Sequence, residues 1–145
     1  MPSSNDRIRP IAICAFRHND RILVCRATDT VKNETYYRPL GGGIEFQEFA
    51  SEALKREISE ELSQEIKDEK FLGVLENRFI LDGVPKHEII MVFDAAFVDE
   101  AVYQKETVEI REAGWEKAEW RSISEFGPEK LILYPTGILE LLSKP

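Results

Sequence analysis

Apolar positions run in short dense stretches at both ends of the chain and switch to a helical period in the middle. Ile8–Phe16 and Arg21–Arg26 are rich in Ile, Val, Leu and Cys and flank His18-Asn19-Asp20, which predicts a β-hairpin. On that pairing Cys14 and Cys25 lie opposite each other, as reduced core residues. Ala27–Thr35 is polar and reads as a loop. Tyr36–Leu40 is a short strand that runs into Gly41-Gly42-Gly43, where the backbone turns sharply or lets something approach closely. From Glu48 to about Glu65 the period becomes helical, with Ala50, Leu54, Ile58 and Leu62 as the apolar stripe. Phe71–Leu81 and Glu88–Phe97 are two further strands about a turn at Asp82–Pro85. Ala101–Ala113 is polar, Gly114–Trp120 strand-like, Ser122–Phe126 a short helix and Gly137–Leu142 a closing helix. The pattern is α+β, with strands early and late around a central helix.

Residues 1–145 show no repeat, low-complexity tract or linker, so one domain is expected. Such a length buries about 68–70% of its unfolded surface without disulfide or metal support. Met1–Pro10 is polar, without the apolar core of a signal peptide, and no stretch reaches the length of a membrane span. The cytoplasm is the expected location. Lys and Arg total 19 against 27 Asp and Glu, a formal net charge of −8. That balance speaks against a nucleic-acid polymer or an anionic membrane as partner. The acid is concentrated: residues 45–69 hold nine acids and three bases and carry −6 of the total.

Within that window Glu57, Glu60 and Glu61 stand at i, i+3 and i+4, on one helix face within about a 100° arc. A solvated helix face would pair its acids with bases four residues away, and only Glu60 has such a partner, Arg56. Glu57, Glu61 and Glu65 form a like-charged edge. Partly buried carboxylates about 4 Å apart repel by about 4 kcal/mol at an effective dielectric near 20. A divalent cation removes that repulsion, and an all-oxygen donor set without His or Cys favours Mg²⁺ or Mn²⁺ over Zn²⁺. Glu52, Glu65, Asp68 and Glu69 read as ordinary solvated charge.

Gly42, five residues, Glu48, seven residues and then Arg56-Glu57-Ile58-Ser59-Glu60-Glu61 resemble the nudix box, whose pattern is G, five residues, E, seven residues, R-E-U-x-E-E-x-G-U with U aliphatic. Ser63 and Gln64 depart from its closing Gly and aliphatic residue, and Gln47 replaces the Gly that often precedes its first Glu. The specific part of the resemblance covers Gly41–Gln64. It implies an α/β/α sandwich with a mixed sheet, the box loop–helix–loop and a C-terminal helix. It further implies that Glu57, Glu60 and Glu61 hold Mg²⁺ with a backbone carbonyl of Gly41 or Gly42, that Glu57 helps to orient the attacking water, and that Arg56 braces the box by pairing with Glu48. A plain helical pair of Arg56 with Glu60 or Glu52 is compatible with that role. A left-handed Ser63 costs about 1–2 kcal/mol, unless the helix runs on toward Ile66.

The implied reaction is Mg²⁺-dependent hydrolysis, with Mn²⁺ as a substitute, of a pyrophosphate bond in a nucleoside diphosphate linked to another group. A catalytically silent nucleotide-binding module on the same fold is the alternative. Outside the box, Arg38, Arg78 and Glu88 are candidates for substrate contact, and Glu88, Glu106, Glu109 and Glu112 for a general base. Tyr37, Phe79, Trp115 and Trp120 are candidates for stacking on a nucleobase, while His87 is not read as a ligand. The resemblance also makes a homodimer an expectation.

Overall fold

The computed structural model describes residues 6–111 and 117–143. Among these residues nine strands and two α-helices follow in order: β1 (Ile8–Cys14), β2 (Arg17–His18), β3 (Arg21–Asp29), β4 (Glu34–Arg38), β5 (Leu40–Gly43), α1 (Ala50–Leu62), β6 (Ile66–Leu81), β7 (Val84–Phe97), β8 (Thr107–Glu109), β9 (Lys117–Ser122) and α2 (Ile138–Leu142). Short 3₁₀ turns occupy Glu100–Gln104 and Ile123–Glu125.

The strands form two sheets. One runs β5-β1-β7-β6, and the other runs β2-β3-β9-β8 with β4 on β3. The first is mixed, because β1 pairs antiparallel with β5 and parallel with β7. Alternation along the strands builds two apolar clusters. Ala12, Cys14, Leu23, Cys25 and Phe93 join Ala53, Leu54, Ile58 and Leu62 of α1. Ile11, Ile13, Ile22, Val24, Ile90 and Val92 join Ile138 and Leu142 of α2. Neighbouring residues of one strand thus serve opposite clusters, one under each helix, as the period of two requires.

The first hairpin is not as the sequence predicts. Asn19 and Asp20 do form a left-handed two-residue turn, at φ 50° and 62°, but it joins only β2 to β3. The long apolar run of β1 lies between β5 and β7 instead, because Ile11–Phe16 are buried on both faces and need neighbours on both edges. Cys14 therefore pairs with Leu40 and Phe93, and Cys25 with Arg38 and Ala118. They lie in different sheets, not opposite each other; neither is in a disulfide, both are buried, and burial pushes the Cys14 thiol up.

The polar stretch 27–35 is mostly strand, with only residues 30–33 between β3 and β4. Its polarity reflects strand ends that reach solvent. The turn is fastened by Asp29, whose carboxylate accepts from the Val31, Lys32 and Asp82 N–H groups at 3.0, 3.0 and 3.2 Å. These donors, Lys32 foremost, hold it below the usual carboxylate range. The polar stretch 101–113 likewise carries β8 and the buried side chains Val102, Val108 and Ile110.

α1 ends where the open alternatives at Ser63 allowed it to stop. Ser63 adopts the left-handed conformation, φ 55° and ψ 39°, and its N–H donates to the Ser59 carbonyl at 2.9 Å. Gln47 is left-handed as well, at φ 74°. Both positions where the sequence departs from box glycines thus keep the backbone geometry that favours glycine. Glu52 is not merely solvated, since its carboxylate accepts from the Phe49 N–H at 2.8 Å at the helix start. Glu69 is half-buried and pairs with Lys55 at 3.7 Å.

Candidate active site at the β5–α1 junction

At Gly41 and Gly42 β5 packs so closely on its surroundings that a side chain is excluded. Gly41 has φ +144°, and a Cβ there would overlap the Ala12 carbonyl and sit 2.7 Å from the Ile13 Cα. A Cβ on Gly42 would run into the Glu57 carboxylate, 2.7 Å from Oε1. The glycines serve close approach, on one side to β1 and on the other to an acid of α1.

Arg56 organises this junction. Its Nε and Nη2 donate to the two oxygens of Glu48 at 2.8 and 3.0 Å. Nη2 also donates to the Gly43 carbonyl at 2.8 Å. Nη1 donates to Glu57 at 2.9 Å and Glu60 at 3.4 Å. One planar guanidinium thus ties the loop before α1, the end of β5 and two helix carboxylates together, a geometry that a lysine cannot reproduce. Glu48 also accepts from the Glu45 N–H at 3.0 Å. The Arg56 hydrogen bonds, followed by that backbone donor, lower the Glu48 carboxyl to about 2. Arg56 is raised in turn by Glu48 and Glu57 against the opposing effect of burial.

The three helix carboxylates have different surroundings. Glu57 turns toward Arg56 over Gly42, the Glu60 side chain is 61% exposed, and Glu61 is 5% exposed. Among the described residues, no three acidic, imidazole or thiol side chains converge tightly enough to enclose an ion. The donor set nonetheless fits a hard divalent cation: it is all oxygen, and the bare Gly42 Cα lets the Glu57 carboxylate lie directly against the β5 backbone.

Glu61, Gly41 and Gly42 line a cleft of about 240 Å³ together with Arg9, Arg38, Ile11 and Ile110. Arg38 and Ile11 also line a narrower pocket walled by Tyr36, Phe79 and Tyr134, with Glu88 and Asn77 at its edge. The Tyr134 ring stacks near-parallel on Phe79 at 6.4 Å and meets Tyr36 edge-on at 5.3 Å. Glu88 is 5% exposed and faces Arg9 at 3.6 Å, the two being register partners in β7 and β1.

The structure brings Arg38 and Glu88 together with the box residues, and does not bring Arg78. That residue lies on the opposite face of the sheet, in a shallow hollow with Ile8, Lys86 and His87. Glu106 and Glu109 are exposed and line neither recess. Glu112 and Trp115 fall outside the described residues. Tyr37 and Trp120 are core side chains, packed on Phe126 and on Tyr103, so among the described candidate stacking residues only Phe79 walls the pocket. Tyr36, Tyr134 and Arg9 escaped the sequence reading. The alternation along β4 could have marked Tyr36 as facing away from Tyr37; nothing local marks Arg9, whose partners come from β7 and β5.

A profile of the NUDIX domain matches residues 7–139. The chain belongs to the NUDIX family. Among solved structures, this NUDIX chain is similar to the MutT NUDIX hydrolase of Burkholderia pseudomallei, with TM-score 0.69 and 21% identity over 94% of this chain and 98% of that one. It also resembles the ORF135 protein of E. coli, with TM-score 0.56 and 17% identity over 98% and 91% of the two chains. The mutator protein MutT of Bacillus halodurans gives TM-score 0.56 and 19% identity over 81% and 70%. No curated protein sequence matches it. At these identities the structures establish the fold, the nudix α/β/α sandwich. The family generally hydrolyses nucleoside diphosphate derivatives with a divalent metal. No helix among the described residues is long and apolar enough to cross a membrane.

Proposed function

We propose that this NUDIX chain is an Mg²⁺-dependent hydrolase of a pyrophosphate bond in a nucleoside diphosphate linked to another group. The observation that carries this reading is the Arg56 clamp, which fixes Glu48 and Glu57 against the Gly42-Gly43 backbone beside a cleft containing Glu61 and two arginines. Glu57, Glu60, Glu61 and the Gly41 carbonyl would hold the ion. When bound, Mg²⁺, or Mn²⁺ in its place, neutralises phosphate charge and lowers the pKa of water.

The remaining work falls to the chain itself. Arg9 and Arg38 bind the phosphates, and Glu88 holds the Arg9 guanidinium in place. Arg56 keeps the Glu57 carboxylate from wandering, so positioning precedes reaction. Glu57 orients the attacking water by accepting a hydrogen bond from it. The water oxygen bonds to one phosphorus in line and its proton passes to solvent, while the bridging P–O bond breaks with its electron pair on the bridging oxygen, so that a monophosphate separates from the other phosphorylated half. Tyr36, Phe79 and Tyr134 receive the base.

A panel of nucleoside diphosphate derivatives, incubated with Mg²⁺ and with Mn²⁺ and analysed for monophosphate release, tests the reaction. Glu57→Gln should lower turnover by about 10²-fold or more, the scale of a lost positioned base or charge, while nucleotide binding persists. Titration of Mn²⁺ into the full chain, followed by its magnetic resonance signal, should show weaker binding in the same variant. If the native chain releases no product from any of the panel but binds a nucleotide, it is a binding module and the hydrolase reading is wrong.

A further inference from the structure

Glu88 is a carboxylate that the fold buries and leaves short of donors. It is 5% exposed, and its register partners are Arg9 in β1 and Asn77 in β6. The Arg9 Nη1 stands 3.6 Å from Oε2, outside hydrogen-bond length. The Asn77 amide is already engaged, donating to the Thr136 carbonyl at 3.2 Å and accepting from the Thr136 N–H at 3.1 Å. Among the described residues none donates a hydrogen bond to the Glu88 carboxylate. A buried carboxylate needs such donors, and one arginine on one oxygen leaves most of its acceptor positions open.

Its place in the sheet says what the missing donors belong to. The strand order β5-β1-β7-β6 sets the box glycines, Arg9 with Ile11, Glu88, and Asn77 with Phe79 in a row, at about 4.8 Å per strand. Arg9 lines the cleft with Gly41 and Gly42 and is absent from the aromatic pocket. Glu88 lines the aromatic pocket with Tyr36, Phe79 and Tyr134 and is absent from the cleft. The Arg9–Glu88 pair therefore stands where the two recesses meet, and Ile11 and Arg38 line both. In a nucleotide the group between phosphate and base is the sugar. A carboxylate repels phosphate, and Phe79 lies a further two residues along β6 from Asn77. Two adjacent hydroxyls of a ribose supply the donors that Glu88 lacks.

We propose that Glu88 accepts hydrogen bonds from the 2′- and 3′-hydroxyls of a ribose, and so selects ribonucleotide over deoxyribonucleotide derivatives at the candidate site. This selection rests on the nucleotide reading above and concerns only the sugar. A 2′-deoxy ligand would leave a buried acceptor without its partner, and a site built to bind a hydroxyl discriminates strongly against the analogue that lacks it. Glu88 continues to hold Arg9 through Oε2, so one side chain spaces the phosphate arginine from the sugar.

Calorimetric titration of the full chain with adenosine, guanosine, cytidine and uridine monophosphates and with their 2′-deoxy forms tests the proposal, since monophosphates are products and are not consumed. For the base bound tightest, the ribose form should bind about 10-fold or more tighter than the deoxy form, the effect of one hydrogen bond to a charged group. Glu88→Met keeps the side-chain length, removes both acceptors and should bring that ratio near one, with circular dichroism to confirm folding. Glu88→Gln, the closer isostere, should lower the ratio severalfold. A native ratio near one overturns the proposal. So does a folded variant that loses affinity for both sugars with the ratio unchanged, because Glu88 then serves Arg9 alone, or one that loses only its choice among bases. Hydrolysis of nucleoside diphosphate derivatives separates the two readings. Turnover without sugar preference overturns the ribose contact alone, a sugar preference without turnover keeps it and overturns the hydrolase, and no binding at all overturns the contact together with the nucleotide reading.

Discussion

Adjacent glycines can fail in different ways when a methyl group is added. At Gly41 the obstacle is the backbone of β1, which cannot retreat, and φ is +144°. Gly41→Ala should therefore lower thermal stability, by several kcal/mol if it folds. At Gly42 the obstacle is the far end of a glutamate side chain, which can swing away. Gly42→Ala should leave the melting temperature nearly unchanged and reduce kcat/KM by about 10²-fold, the effect of displacing one positioned group by about 1 Å. A large melting shift with intact turnover would contradict this reading of the Gly42–Glu57 contact. Arg56 and Glu48 were legible in the sequence because their partners lie eight residues apart in one loop–helix unit. Arg9 was not, because its place beside Glu88 and the cleft depends on which strand β1 joins.

The α1 termini show what the pattern could and could not convey. Its apolar stripe predicted Ala50, Leu54, Ile58 and Leu62 as the buried face; the last three are buried, Ala50 is only half-buried, and Ala53, outside the stripe, is buried as well. Whether the helix would stop at residue 62 was open, as a left-handed serine is costly but not forbidden. Ser63 bears that strain at φ 55°. Ser63→Gly should relieve it and raise stability by about 1 kcal/mol, read as a higher denaturant midpoint. No gain would mean that the Ser63 hydroxyl compensates the strain. The misread β1–β3 hairpin has a different origin. A turn sequence fixes the residues next to it, here two pairs, and says nothing of where a doubly buried strand goes once the chain leaves the turn.

The charge of the whole molecule is −8, and one of its acids gives it a definite response to acid. Glu48 has a carboxyl lowered from 4.5 to about 2. A depressed carboxyl contributes stability that is complete above the unfolded value and is lost as pH falls toward the folded one. Between pH 4.5 and about 2 the native chain should lose a contribution that Glu48→Gln lacks. Thermal melts of the two proteins should therefore converge across that window, and parallel curves would exclude the Arg56 pair as the cause. The α+β class, the box and the loop–helix junction were legible in the sequence. The meeting of Tyr36 and Tyr134 with Phe79 around their pocket was not, because it joins distant parts of the chain.

The Arg56 clamp has one more consequence, for the order in which parts of the chain become protected. Its farthest partner, the Gly43 carbonyl, is 13 residues away. The sheet beneath it joins Ile8 to His87 across more than half the sequence. Closing the short loop loses less chain entropy than closing the long one. In a refolding pulse-labelling experiment the α1 amides should therefore resist deuterium before those of β1, so that the clamped loop–helix unit exists as a local kernel while its seat is still being assembled.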